Sequence, residues 1–188
     1  YTEADFTFSG NATVTGTDAG TYDMFLNPAD FKNTSANITN VEFVIVDGTL
    51  EILKRAVTLT SADDEKVYDG KPLTNDEVAV TGAGFVAGEG ATYDVTGTQT
   101  AVGLSANAFT YTLNSNTKAD NYTITKVEGT LKVTELTDKV TVTITEHSSK
   151  ETYDGTEKTV TGYDVEISNP LYTEADFTFS GNATVTGT

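Results

Sequence analysis

VTVTIT, residues 140–145, sets Val140, Val142 and Ile144 at every second position with threonine between them. A period of two turns successive side chains to opposite faces of a strand, so the apolar three share one face and Thr141, Thr143 and Thr145 the other. The same alternation runs through Val57/Leu59, Phe109/Tyr111/Leu113, Tyr22/Met24 and Leu131/Val133. Threonine makes up about a fifth of the chain. It is β-branched and favours strands, while its hydroxyl tolerates water, so these strands read as wet on one side and packed on the other. Asp47-Gly48, Asp69-Gly70, Asp154-Gly155, Gly82-Ala83-Gly84 and Gly88-Glu89-Gly90 punctuate them as turns. Short strands with regular punctuation predict an all-β chain of antiparallel, Ig-like β-sandwich modules, with a β-grasp-like arrangement as the fallback. One stretch reads as helical for a turn or two: Asn27 as N-cap, Pro28 at the first helical position and Asp30 in the first turn, with Phe31 plugging the end of the core.

The chain also repeats itself. Residues 1–17, YTEADFTFSGNATVTGT, return unchanged as residues 172–188, an offset of 171. Within that period lies a diverged half-period. The VYDG ending at Gly70 matches the TYDG ending at Gly155, 85 residues on, and Val57 and Leu59 match Val142 and Ile144. DGTLEI (47–52) matches EGTLKV (128–133) at an offset of 81, Gly20 matches Gly103, and NIT (37–39) matches NYT (121–123). The organisation expected is the C-terminal part of one module (1–53), a complete module of about 85 residues (54–137), and the N-terminal part of the next (138–188). A copied segment at both ends suggests a window on a longer periodic polymer.

Composition narrows the function classes. With 28 acidic against 11 basic residues and a net charge of −17, the chain repels nucleic acid and anionic membranes. It has no cysteine, hence no disulfide or thiolate site, and no apolar stretch long enough to span a membrane.

The YDG element early in each module, the threonine-rich strands and the closing NYTIT…GTLKV (121–133) resemble the YDG/MBG-type tandem repeat modules of bacterial, Firmicutes-like cell-surface adhesins. The segment from Asn27 to Ile52 looks like repeat regions of large surface proteins. The resemblance covers essentially the whole chain. It implies a tandem stalk or adhesive repeat outside the cell and implies no particular ligand.

No residue is singled out as catalytic, cofactor-binding or metal-ligating. His147, the only histidine, follows a strand beside Ser148 and Ser149 and reads as solvated, without the buried nucleophile a triad needs. Paired carboxylates are too common here for any one pair to mean glycoside hydrolysis. Asp63, Asp64, Glu65 and Asp69 offer the hard oxygens calcium needs, yet their spacing fits no calcium-loop motif, and EHSSKE (146–151) in the next module has lost most of them. No cofactor is expected, with calcium the one worth weighing. Intramolecular isopeptide bonds need a buried Lys, an Asn and an acid together, and spacing picks out no such trio. Tyr68 and Tyr153 read as half-buried rim residues at strand ends before an Asp-Gly turn, and Gly48 and Gly129 as the entry to the last strand.

Three readings follow. The first is a structural segment, stalk or filament, of a bacterial cell-surface adhesin, extracellular and without catalysis, whose partners are neighbouring repeats. The second is an adhesive module binding host glycan or protein. The third is a self-assembling fibre subunit in which the end half-modules complement each other between chains. Nucleic-acid binding and membrane insertion are not expected.

Overall fold

The computed structural model describes residues 1–188 and is all-β, with sixteen short strands, four single 3-10 turns and no α-helix around which a β-grasp-like sheet could wrap. The strands are β1 (Phe6–Phe8), β2 (Gly20–Asp23), β3 (Phe31–Asn33), β4 (Thr49–Ile52), β5 (Arg55–Ser61), β6 (Asp64–Val67), β7 (Val78–Gly82) and β8 (Ala91–Val95). They continue as β9 (Gly103–Asn107), β10 (Phe109–Leu113), β11 (Tyr122–Val127), β12 (Gly129–Thr134), β13 (Val142–Glu146), β14 (Lys158–Thr161), β15 (Tyr163–Ile167) and β16 (Thr184–Gly187). One three-stranded sheet has the order β11-β5-β7 and another β6-β12-β9; the remaining strands form two-stranded sheets. The chain divides into two compact units.

The first unit comprises Tyr1–Asp64, Thr74–Thr98 and Ser105–Leu131. Its core is Val57, Leu59, Phe109 and Tyr122, with Val78, Phe85, Tyr93, Val95, Tyr111 and Ile124 packed around them. The predicted alternation holds in β10, where Phe109 is buried and Thr110 and Thr112 are exposed. The pairs β1–β3, β2–β4 and β8–β10 are antiparallel, as is β5–β7 with Leu59 opposite Val80. The expectation of purely antiparallel pairing is corrected at β11. This strand runs parallel to β5, with Ile124 opposite Val57 and Lys126 opposite Leu59. A parallel pair needs a long connection between its strands, and β6 to β10 all lie within this one. The helical reading of residues 27–31 holds as a single 3-10 turn, Pro28–Asp30, capped by the Asn27 side chain, which accepts from the Ala29 N–H at 3.0 Å. Phe31 then opens β3 and stacks on Phe8 (4.7 Å) and Phe43 (5.6 Å).

The second unit comprises Glu65–Leu73, Gln99–Leu104 and Lys132–Thr188. Leu73 and Val133 are its buried apolar residues, and Leu73 forms an isolated antiparallel bridge with Gln99. The pairs β13–β15 and β14–β16 are antiparallel. β13 begins at Val142, two residues later than the alternation predicts, and leaves Ile144 46% exposed.

Both Tyr-Asp-Gly turns lie in this unit and share one geometry. Gly70 and Gly155 take φ of 76° and 78°, where a side chain is strained. The preceding carboxylate accepts from a backbone N–H two residues on, Asp69 from Lys71 and Asp154 from Thr156, each at 3.0 Å. The tyrosines diverge. Tyr68 is half-buried and its N–H donates to Thr134 C=O. Tyr153 is 84% exposed, which corrects the expectation of a half-buried rim residue; no strand precedes it to turn its ring inward.

The duplicated segment pairs differently at its two occurrences. In the first unit Phe6–Phe8 is β1 and residues 13–16 join no strand. In the second unit residues 177–179 join no strand, while Thr184–Gly187 is β16.

Candidate functional site

A polar latch in the first unit ties residues 18–19 to residues 118–121. Asp18 follows the duplicated segment, ahead of β2, and a 3-10 turn (Ala119–Asn121) delivers Asn121 to the start of β11. The Asn121 amide nitrogen donates to the Asp18 carboxylate at 2.9 Å, and its oxygen accepts from the Ala19 N–H at 2.7 Å. Lys118 donates to the second Asp18 oxygen at 2.7 Å, and the Tyr22 hydroxyl donates to the Asp18 C=O at 2.8 Å. The amide hydrogen bond from Asn121, then Lys118, lowers the Asp18 pKa below its ordinary 3.8. Asp18, Ala19, Lys118 and Asn121 line a cleft of about 430 Å³ that also takes in Arg55, Glu89 and Tyr122. Its floor is fixed by Tyr122, whose hydroxyl donates to Glu89 and accepts from the Val86 N–H at 3.1 Å. Arg55 donates to the carbonyls of Ala83 and Gly84. Every charged group in the cleft is engaged by its own neighbours, so the arrangement suits holding chain segments together.

Protonation of Asp18 weakens the latch. With a lowered folded-state pKa, its stabilisation is fully present above the ordinary value of 3.8 and is lost as pH falls through the lowered value. An acid titration by NMR from about pH 5 to pH 2 is expected to move the Ala19 and Asn121 signals with the Asp18 carboxyl. Asn121→Ala should move the Ala19 amide at neutral pH as well. Signals that ignore both changes would show that the latch does not form.

His147 sits in the second unit beside a cleft of about 220 Å³ lined by Glu146, Thr161, Gly162 and Thr184 among others. Its Nε2 lies 3.2 Å from the Asp164 carboxylate and its Nδ1 3.0 Å from Thr161 C=O. Gly162, at φ 97°, leaves room for the ring: a Cβ there would stand 2.9 Å from Nδ1. Asp164, then the Thr161 carbonyl, raises the imidazole pKa above 6.5. Its stabilisation is therefore complete below 6.5 and fades as pH rises through the raised value. Asp164→Asn is expected to bring the midpoint of its ring-proton titration back towards 6.5. An unchanged midpoint would remove Asp164 as the partner. The ring is half-exposed, and its two nitrogens face Asp164 and the Thr161 carbonyl.

The four carboxylates weighed for calcium are not brought together. Asp63 accepts from the Thr130 N–H, Asp64 from the Asn75 amide, Glu65 pairs with Lys132, and Asp69 with Lys66. No group of three or more His, Asp or Glu side chains converges on a point where a metal would sit. The amide nitrogen of the buried Asn107 donates to the carbonyls of Ala62 and Asn75. Sequence reasoning did not pick out the Asp18–Lys118–Asn121 latch. Its one trace appears on counting back 81 residues from the GTL glycine, which sets Lys118 on Asn37, a change of charge between module types, and Asn121 on Asn40. No family model, curated protein or solved structure matches the chain.

Proposed function

We propose that the chain is a segment of a tandem-repeat stalk on a bacterial cell surface, a spacer built of serial β modules and without catalysis of its own. The observation that carries this reading is the 171-residue repeat, whose two diverged half-periods share several of their strand pairings. The pairs β1–β3 and β2–β4 interleave as β8–β10 and β9–β12 do, and β13–β15 repeats β5–β7. The latch adds support, since Asp18 and Ala19 lie in residues 1–53 and Lys118 and Asn121 in the following module, and the three hydrogen bonds that join them oppose bending. A net charge of −17 keeps parallel stalks apart at low salt. Such a stalk places its neighbours, the preceding and following repeats, as its first partners.

Pulling on a chain of several 171-residue units by atomic force microscopy tests the reading. A regular sawtooth is expected, each peak releasing about 3.6 Å per residue of the unfolding module. Featureless extension at low force would sink the stalk reading.

A further inference from the structure

Two stretches that correspond to a bonded pair of strands in the complete module stand without that partner here. In the complete module β5 and β11 form the parallel pair at the heart of the core. Counting back from the GTL glycine without a gap, the offset of 81 carries β11 onto residues 41–46, VEFVIV, and carries Asn121 onto Asn40. This gap-free count supersedes the match of residues 37–39 to 121–123, because β11 runs to within one residue of Gly129. Residues 41–46 alternate as β11 does, with Val41, Phe43 and Ile45 half-buried and Glu42, Val44 and Val46 exposed, yet they belong to no strand. Val44 and Val46 are 75% and 90% exposed. The offset of 85 carries β5 onto residues 140–146, where β13 is bonded on one side only, to β15.

We infer that these edges meet between successive copies of the unit: residues 41–46 of one copy pair, in parallel, with β13 of the copy before it. The inference rests on the tandem reading above. The register follows from the complete module, where Tyr122 faces Arg55, Ile124 faces Val57 and Lys126 faces Leu59. The two offsets translate these into Val41 opposite Val140, Phe43 opposite Val142 and Ile45 opposite Ile144. All six are apolar and fall on the face that is core in the complete module, so the seam is more hydrophobic than its template. The opposite face pairs Glu42, Val44 and Val46 with Thr141, Thr143 and Thr145.

The duplicated segment supplies independent support. Its two occurrences each use half of one pairing scheme, residues 6–8 with β3 and residues 184–187 with β14. A single segment making both pairs at once joins the strands of 138–188 to those of 18–53 in one continuous module. The pairs then missing are those that cross between the two halves, and β13 with residues 41–46 is chief among them.

The test uses a two-unit chain, residues 1–188 continued by a second copy of residues 18–188. This preserves the repeat, because residues 172–188 already are residues 1–17. The natural sequence holds no cysteine to interfere. Thr143→Cys in the first copy of the repeat and Val44→Cys in the second copy sit opposite each other on the outward face, and mild oxidation is expected to bridge them. Moving the first cysteine to Thr141 shifts it about 7 Å along the strand. That places the pair beyond disulfide reach and should slow bridging about tenfold or more. Equal rates for the matched and shifted pairs would overturn the inference. Bridging in register by a chain that gives no sawtooth on pulling would instead retain the strand pairing and discard the stalk.

Discussion

Phe109→Ala is expected to lower the unfolding free energy of the first unit by about 3–5 kcal/mol, the range for emptying an aromatic site in a packed core. Phe109 is 1% exposed and packs with Val57, Leu59 and Tyr122. Its ring meets Tyr93 edge-on at 6.5 Å and carries the Lys126 ammonium over its face at 5.0 Å. These contacts come from both sides of the core, so no single neighbour can collapse into the space. Single domains are stable by about 5–15 kcal/mol, which puts the loss near half of what a module this small holds. Chemical denaturation should show the midpoint falling with little change in slope. Phe25→Ala is the companion variant: Phe25 is 73% exposed and should shift the midpoint by no more than about 0.5 kcal/mol. Equal effects at the two positions would mean that the core is centred elsewhere.

Phe109 also marks where sequence reasoning works best. The alternation Phe109/Tyr111/Leu113 is strict, its threonines point outward, and its burial follows from side-chain chemistry alone. The Asp-Gly turns at Gly70 and Gly155 are legible for the same local reason, since positive φ and an acceptor two residues back are properties of the dipeptide. Asp47-Gly48, read the same way, forms no turn: Gly48 keeps an ordinary φ and runs extended into β4. The parallel pairing of β5 with β11 was not legible. Val57 and Ile124 read identically in parallel and antiparallel ladders, and only the path of the intervening strands sets the direction. Tyr153 was misjudged because its environment depends on a strand that Tyr68 has before it and Tyr153 lacks. The latch escaped for a further reason: Asp18 and Lys118 are a hundred residues apart in a chain with many carboxylates, and no spacing rule links them.

Gly129→Ala is expected to cost about 2–4 kcal/mol, combining overpacking with a strained buried hydrogen bond. A Cβ on Gly129 would stand 2.4 Å from the Ser61 carbonyl oxygen and 2.5 Å from that of Ala62. Both are backbone atoms, so the strand itself has to move. The Gly129 N–H donates to Ser61 Oγ at 2.9 Å, and that hydroxyl donates to the Asn107 C=O at 2.6 Å, so displacement disturbs a network with no access to water. Gly48, the matching glycine of the other module type, meets nothing within 4 Å, and its φ lies outside the left-handed region. In the single 188-residue chain Gly48→Ala should be neutral or stabilise by about 0.4–1 kcal/mol, by restricting the unfolded chain. The contrast turns on whether the first strand of the module lies alongside. In the two-unit chain the Glu146 and His147 carbonyls take the places that those of Ser61 and Ala62 hold opposite Gly129. Gly48→Ala in the second copy of the repeat should there become destabilising, while the same change in the first copy stays harmless. Denaturation of the three variants separates the cases: a Gly129→Ala as mild as Gly48→Ala in the single chain would refute the close approach. Indifference of the second-copy Gly48 would mean that its neighbouring strand never docks.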